Sequence, residues 1–170
     1  MRSTLLAAAL LGALLASGCA SYDGRGLVPG QATEADVLAK MGAPSQTIRR
    51  PDGSAALYFS RMPYGRQIFM ASFGPDRVLG RIEPTLDYEH IRRIKAGVST
   101  VADVKEILGP PASAARAPFK PIDVWEYQWQ IGADLRLLWI GFSDDGIVRE
   151  VTDIHDHGSD EPTGADMPSS

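Results

Sequence analysis

The chain has 170 residues, 44% of them hydrophobic and 22% charged, which suits a folded body rather than a fully disordered one. Its formal net charge of -4 lacks the cationic field that a grip on nucleic acid requires, so nucleic acid is not an expected partner. Twelve prolines and seventeen glycines point to many turns and few long helices.

The first residues, "MRSTLLAAALLGALLASGCA", carry one charge at Arg2, an apolar run from Leu5 to Leu15 and then small residues. That is the layout of a secretory signal, and it is shorter than the roughly 20 apolar residues that a spanning helix needs. "LLASGC" resembles the lipobox of bacterial lipoproteins, which implies cleavage before Cys19 and lipidation of that residue. Several acyl chains, at roughly 0.8 kcal/mol per buried methylene, would hold it firmly in a membrane. An ordinary secreted protein with an incidental cysteine, or a retained anchor, also fits these residues. By the same resemblance, Ala20 after the cysteine implies sorting to the outer membrane, on its periplasmic face. A single cysteine excludes a disulfide within the chain. The expected organisation is signal peptide 1–18, lipidated tether 19–27, a degenerate first unit 28–84, a second unit 85–154 and a disordered tail 155–170. Without residues 1–18 the chain carries 16 basic and 21 acidic residues, a formal -5.

"GQATEADVLAKMGAP" (30–44) returns as "GVSTVADVKEILGPP" (97–111), with seven of fifteen positions identical. The offset of 67 becomes 69 further on, where "FGPDRVLGRI" from Phe73 lies over "FSDDGIVREV" from Phe142. Internal duplication is the plainest explanation. In each copy a threonine, Thr33 or Thr100, stands as N-cap, and Asp36 or Asp103 answers it three residues on. Val37 and Met41, or Val104 and Leu108, give one apolar seam. Gly42 and Gly109 stop the helices, and Pro44 and Pro111 prevent continuation. Expected strands are 55–60, 66–73 and 78–83, then 124–130, 135–142 and 147–152, with a further helix at 86–96. The alternation of Trp125, Tyr127 and Trp129 with Glu126 and Gln128 suits a sheet with one wet face. The expected fold class is α+β, two tandem units of helix plus antiparallel sheet.

The pattern through Gly97, Ser99, Val104, Leu108, Gly109, Pro111, Trp125, Tyr127, Phe142, Asp145, Gly146 and Val148 resembles the SmpA/OmlA (BamE-like) family of outer-membrane lipoproteins. A weaker match runs through Gly30, Val37, Gly42, Pro44, Tyr58 and Phe73. The resemblance implies two helices followed by a three-stranded antiparallel sheet, and a place in or near the machinery that inserts β-barrel proteins. That family has one unit where this chain has two. Tandem units also resemble the β-lactamase inhibitor protein architecture, whose repeats share one concave surface.

No catalytic constellation stands out, and the chain is not read as an enzyme. Asp36 and Asp103 are helix caps, and Asp144 and Asp145 belong to a turn. No serine sits in a nucleophile-elbow setting, and no Gly-Lys-Ser or Gly-Lys-Thr follows the glycines near residue 30. His90 reads as a surface group. "DIHDH", with Asp153, His155, Asp156 and His157, could hold a divalent cation loosely but lacks a visible second layer of support, so no metal site or cofactor is assigned. Binding is the better reading. Arg61, Tyr64 and Arg66 share a strand connection, Arg92, Arg93 and Lys95 form a small basic patch, and Trp129, nearest a loop, is the candidate exposed anchor. The expected function is a lipid-anchored envelope protein acting as a protein-interaction or structural module, through a membrane and an envelope-protein partner. The alternative is a periplasmic inhibitor or ligand-binding protein using a concave face of the paired sheets.

Overall fold

A computed structural model describes residue 21 and residues 23–156, so the expected signal, Cys19, His157 and nearly all of the expected tail lie outside the described residues. The chain forms helix α1 (Glu34–Met41), strands β1 (Gln46–Arg49), β2 (Ala55–Ser60), β3 (Ile68–Phe73) and β4 (Leu79–Pro84), then a short helix α2 (Tyr88–Ile91). Helix α3 (Val101–Leu108) follows, with β5 (Ser113–Arg116), β6 (Ile122–Ile131), β7 (Asp134–Ser143) and β8 (Val148–His155). The strands make two four-stranded antiparallel sheets in sequence order, so the two tandem α+β units are present.

Both long helices start the same way. Thr33 Oγ1 accepts from Asp36 N while the Asp36 carboxylate accepts from Thr33 N at 2.8 Å, and Thr100 and Asp103 repeat the exchange. These bonds hold both carboxyls below their ordinary range, the largest cause being the Thr33 hydroxyl for Asp36 and the Thr100 amide for Asp103. Gly42 at φ 84° and Gly109 at φ 86° end the helices in backbone that side chains other than hydrogen avoid. Two turns of helix are not stable alone. Burial of Val37 and Met41 on the first sheet, and of Val104 and Leu108 on the second, supplies roughly 1.5–3 kcal/mol per side chain.

The duplication extends to the hydrogen bonds that lace helix to sheet. Gly30 N donates to Leu79 O, Leu79 N to Ala32 O and Glu34 N to Arg77 O; Gly97 and Val148, Val148 and Ser99, Val101 and Gly146 do the same. The offset is 67 on the helix side and 69 on the strand side. Strand pairing divides the difference: Leu57 faces Ala71 as Trp125 faces Ile140, an offset of 68 along β2 and β6. The first two hairpins of the second unit have therefore each gained one residue, and the third is unchanged in length. The pair Ser60–Ile68 encloses seven residues, an odd number that cannot close on a two-residue turn, and they form an open loop. The equivalent pair Gln128–Leu137 encloses eight, which extend the ladder by three pairs to Ile131–Asp134.

Three expectations need correction. Each sheet has four strands, because β1 and β5 were not foreseen. The stretch 86–96 is α-helical only over Tyr88–Ile91; beyond it Arg93 N and Ile94 N bond three residues back, a tighter winding that puts Ile91 and Ile94 together in the core. The tail also begins later than residue 155, since β8 runs through His155.

The first sheet is covered on both faces. Ala55, Leu57, Phe59, Ala71 and Phe73 meet α1. Ala56, Tyr58 and Ile68 join a second core with Leu86, Ile91, Ile94, α3 and the inner face of the second sheet, including Tyr127, Trp129, Leu138, Ile140 and Phe142. The joint is made largely by the end of α3. Gln46 Nε2 donates to Lys105 O at 2.8 Å, Tyr58 OH to Glu106 O, and Arg50 pairs with the Glu106 carboxylate. Thr85 Oγ1 donates to Leu108 O at 2.7 Å, and Tyr127 OH to Gly109 O at 2.9 Å.

Candidate interaction surface

Two surface regions stand out once the core is assigned. The first is the odd-numbered loop between β2 and β3. Ser60, Arg61, Met62, Tyr64 and Arg66 from its arms face Gln130 of β6 across a cavity of about 570 Å³. Tyr64 is fully exposed at the tip. Arg66 is held in place: its Nη2 lies 2.6 Å from Asp156 Oδ2, and its Nη1 donates to the Arg136 carbonyl. The expected trio of Arg61, Tyr64 and Arg66 is thus assembled in one cavity wall.

Behind Arg66 lies a charge network that fixes the end of the second sheet. Arg136 donates to both oxygens of Asp153 and to Asp134, whose carboxyl it lowers, and the two carboxylates raise its own pKa further. Trp129 Nε1 donates to Asp153 at 3.1 Å, the Arg136 guanidinium sits 5.8 Å from the Trp129 ring, and Tyr88 meets that ring edge-on at 5.1 Å. His155 Nδ1 lies 2.8 Å from Asp134. The acids of "DIHDH" are therefore engaged by arginines of the fold, and no group of three or more metal-ligating side chains occurs among the described residues.

Trp129 is not an exposed anchor: it is 1% exposed and sits in the core. Strand parity explains the correction, since Trp129 shares a face with Tyr127, which lies under α3. His90 is likewise no surface group. Its side chain is 12% exposed and Nδ1 lies 2.9 Å from Asp87 Oδ1. Arg92 pairs with Glu89, while Arg93 lines a separate polar hollow with Ser99, Asp103 and Glu106. The basic patch at Arg92 and Arg93 and the loop at Tyr64 are lined by separate sets of residues.

The second region went unforeseen. β6 and β7 turn Val124, Glu126, Leu137 and Trp139 away from the core, and Ile154 of β8 lies on the same side. Trp139 is 38% exposed, more than Trp125 or Trp129, and its Nε1 donates to Glu126 at 3.0 Å. Val124, Glu126 and Trp139 border a largely apolar hollow of about 290 Å³ with Ser113, Ala115, Arg116 and Ala117. The signal lay in the alternation within "LRLLWIGF", where Leu138 and Ile140 face inward and so turn Trp139 outward.

No helix among the described residues is long and apolar enough to cross a membrane. No protein-family profile matches the chain, and no curated protein matches it. A search of solved structures returns a DUF4309 family protein (YjgB) from Bacillus subtilis, at 20% identity and a TM-score of 0.30, covering 78% of this chain and 84% of that one.

Proposed function

We propose that the chain is a non-enzymatic, BamE-like lipoprotein, held through Cys19 on the periplasmic face of the outer membrane, that acts as a protein-interaction module in outer-membrane protein assembly or envelope maintenance. The observation that carries the reading is the distribution of covered and open faces. α1 closes one side of the first sheet, the shared core closes its other side and the inner face of the second sheet, and among the described residues nothing covers the outer face around Trp139. Ser21, the start of the described chain, donates to Lys40 O at the end of α1. A tether leaving from there would place the membrane beyond α1 and the open face on the far side of the shared core. An inhibitor acting through a concave face common to both sheets draws less support, because the first sheet has no free face to share.

Photo-crosslinking in intact envelopes tests this. A crosslinking residue at 139 or 64 is expected to trap discrete envelope proteins, barrel-assembly components among them, while one at Leu38 on α1 is not. Cys19→Ser is expected to move the protein from the membrane to the soluble fraction. A protein that fractionates as soluble with Cys19 intact and traps nothing from either position would refute the proposal.

A further inference from the structure

The two units show what a sheet face of this kind receives. On the first sheet the face built from Ile48, Ala56, Tyr58, Ile68 and Met70 takes the end of α3. By the offsets fixed in the ladders, the same positions on the second sheet are Ala115, Val124, Glu126, Leu137 and Trp139. Four of the five remain apolar, and the hollow of about 290 Å³ lies over this patch. Ser113, at its rim, stands where Gln46 bonds the α3 carbonyl. The outer face is a second copy of the joint that none of the described residues fills.

Its charge is inverted. In the first unit the sheet supplies the cation and the donor, Arg50 to the Glu106 carboxylate and Tyr58 OH to the Glu106 carbonyl. Burial pushes the Tyr58 phenol up to about 12, so it remains a neutral donor. In the second unit Ala117 stands at the position of Arg50 and Glu126 at that of Tyr58. The cation at that position is gone and an anion has come; Arg116, which also lines the hollow, is paired with Asp123 and Asp144. The negative carbonyl end of a helix would now be repelled, whereas a Lys or Arg side chain would meet a carboxylate beside an indole face. On its inner side the chain already sets Lys105 5.5 Å from the Trp125 ring and Arg136 over Trp129. We infer that the Trp139 face docks an amphipathic helix of a partner protein that brings a Lys or Arg, flanked by apolar residues, onto the Glu126 carboxylate beside the Trp139 ring. This inference rests on the interaction-module reading and names the partner's chemistry.

The test uses the folded, isotope-labelled protein and two stapled 15-residue helices, each with leucines four apart flanking either a Lys or a Glu. The Lys helix is expected to shift the Trp139 indole resonance and the Val124 and Leu137 methyls saturably. Glu126→Gln should weaken binding several-fold. Glu126→Lys should weaken it at least tenfold and transfer preference to the Glu helix, with the circular dichroism spectrum unchanged. The inference is overturned if neither helix binds, if Glu126→Lys leaves the preference unaltered, or if shifts fall around Tyr64 instead. Self-association of the protein that Trp139→Lys abolishes would give the face to a second copy and also overturn it. Crosslinks from position 139 without helix binding would leave the broader reading standing and this one refuted; helix binding without crosslinks would do the reverse.

Discussion

Gly42 and Gly109 form a matched pair that isolates the joint between the two units. Both close a capped helix, at φ 84° and 86° with ψ near -160°, so an alanine at either place meets the same backbone strain, roughly 1–3 kcal/mol. Their surroundings differ. A Cβ on Gly42 would meet nothing within 4 Å, whereas one on Gly109 would stand 2.8 Å from the Tyr58 ring and 3.1 Å from Ile68 Cγ2. Tyr58 cannot retreat, because its hydroxyl is tied to Glu106 O and its ring is fully buried. Overpacking at such a site adds about 1–3 kcal/mol. Urea unfolding of Gly42→Ala and Gly109→Ala should therefore show the second losing about 1–3 kcal/mol more, as a lower midpoint at unchanged slope. Adding Tyr58→Leu to each should shrink that gap, a coupling that the Gly42 background lacks. Equal losses within about 0.5 kcal/mol, or no coupling to Tyr58, would mean that α3 does not end against the first sheet.

Tyr127→Phe should destabilise by about 1–3 kcal/mol in the same assay, because it strips the buried Gly109 carbonyl of its donor. Thr33→Ala and Thr100→Ala should each lose about 1 kcal/mol, and a cap that can be removed without loss would contradict the hydrogen-bond exchange described above. Glu34, hydrogen-bonded by Arg49, has its carboxyl lowered from its ordinary 4.5, so the fold favours the ionised form. That contribution is present above pH 4.5 and disappears as the pH falls through the lowered value, and Glu34→Gln should flatten this acid limb of the stability curve. Trp139→Thr, which suits a strand and sets no charge opposite Glu126, should cost no more than about 1 kcal/mol while abolishing crosslinks from neighbouring position 137, separating surface from core.

Much of this architecture could be read from residues alone. Caps and stops are local chemistry, so Thr33, Asp36 and Gly42 and their duplicates announced both long helices, and alternation placed six strands to within three residues at either end. β1 and β5 escaped because four-residue edge strands are fixed by backbone pairing, and "SAAR" has no buried side to betray it. The assignment of Trp129 to the surface weighed its nearness to a loop above its parity with Tyr127, and the parity governs. The open face could not be read at all. Which side of a sheet stays wet depends on where the other unit docks, and that contact joins residues distant in sequence, such as Tyr58 and Glu106.

The shared core also changes what a unit means in this chain. Residues 85–109 belong by sequence to the second copy, yet they are the wall against which Ala56, Tyr58 and Ile68 of the first are buried. Cut at residue 85, the first half would turn a tyrosine and two aliphatic side chains to water, and the second half would lose the cover over Gly109. Duplication has thus yielded one folding body from two repeats, neither of which owns a complete interior. Melting should accordingly pass through a single cooperative transition rather than two, and any partner that grips the second sheet steadies the first through the same buried side chains.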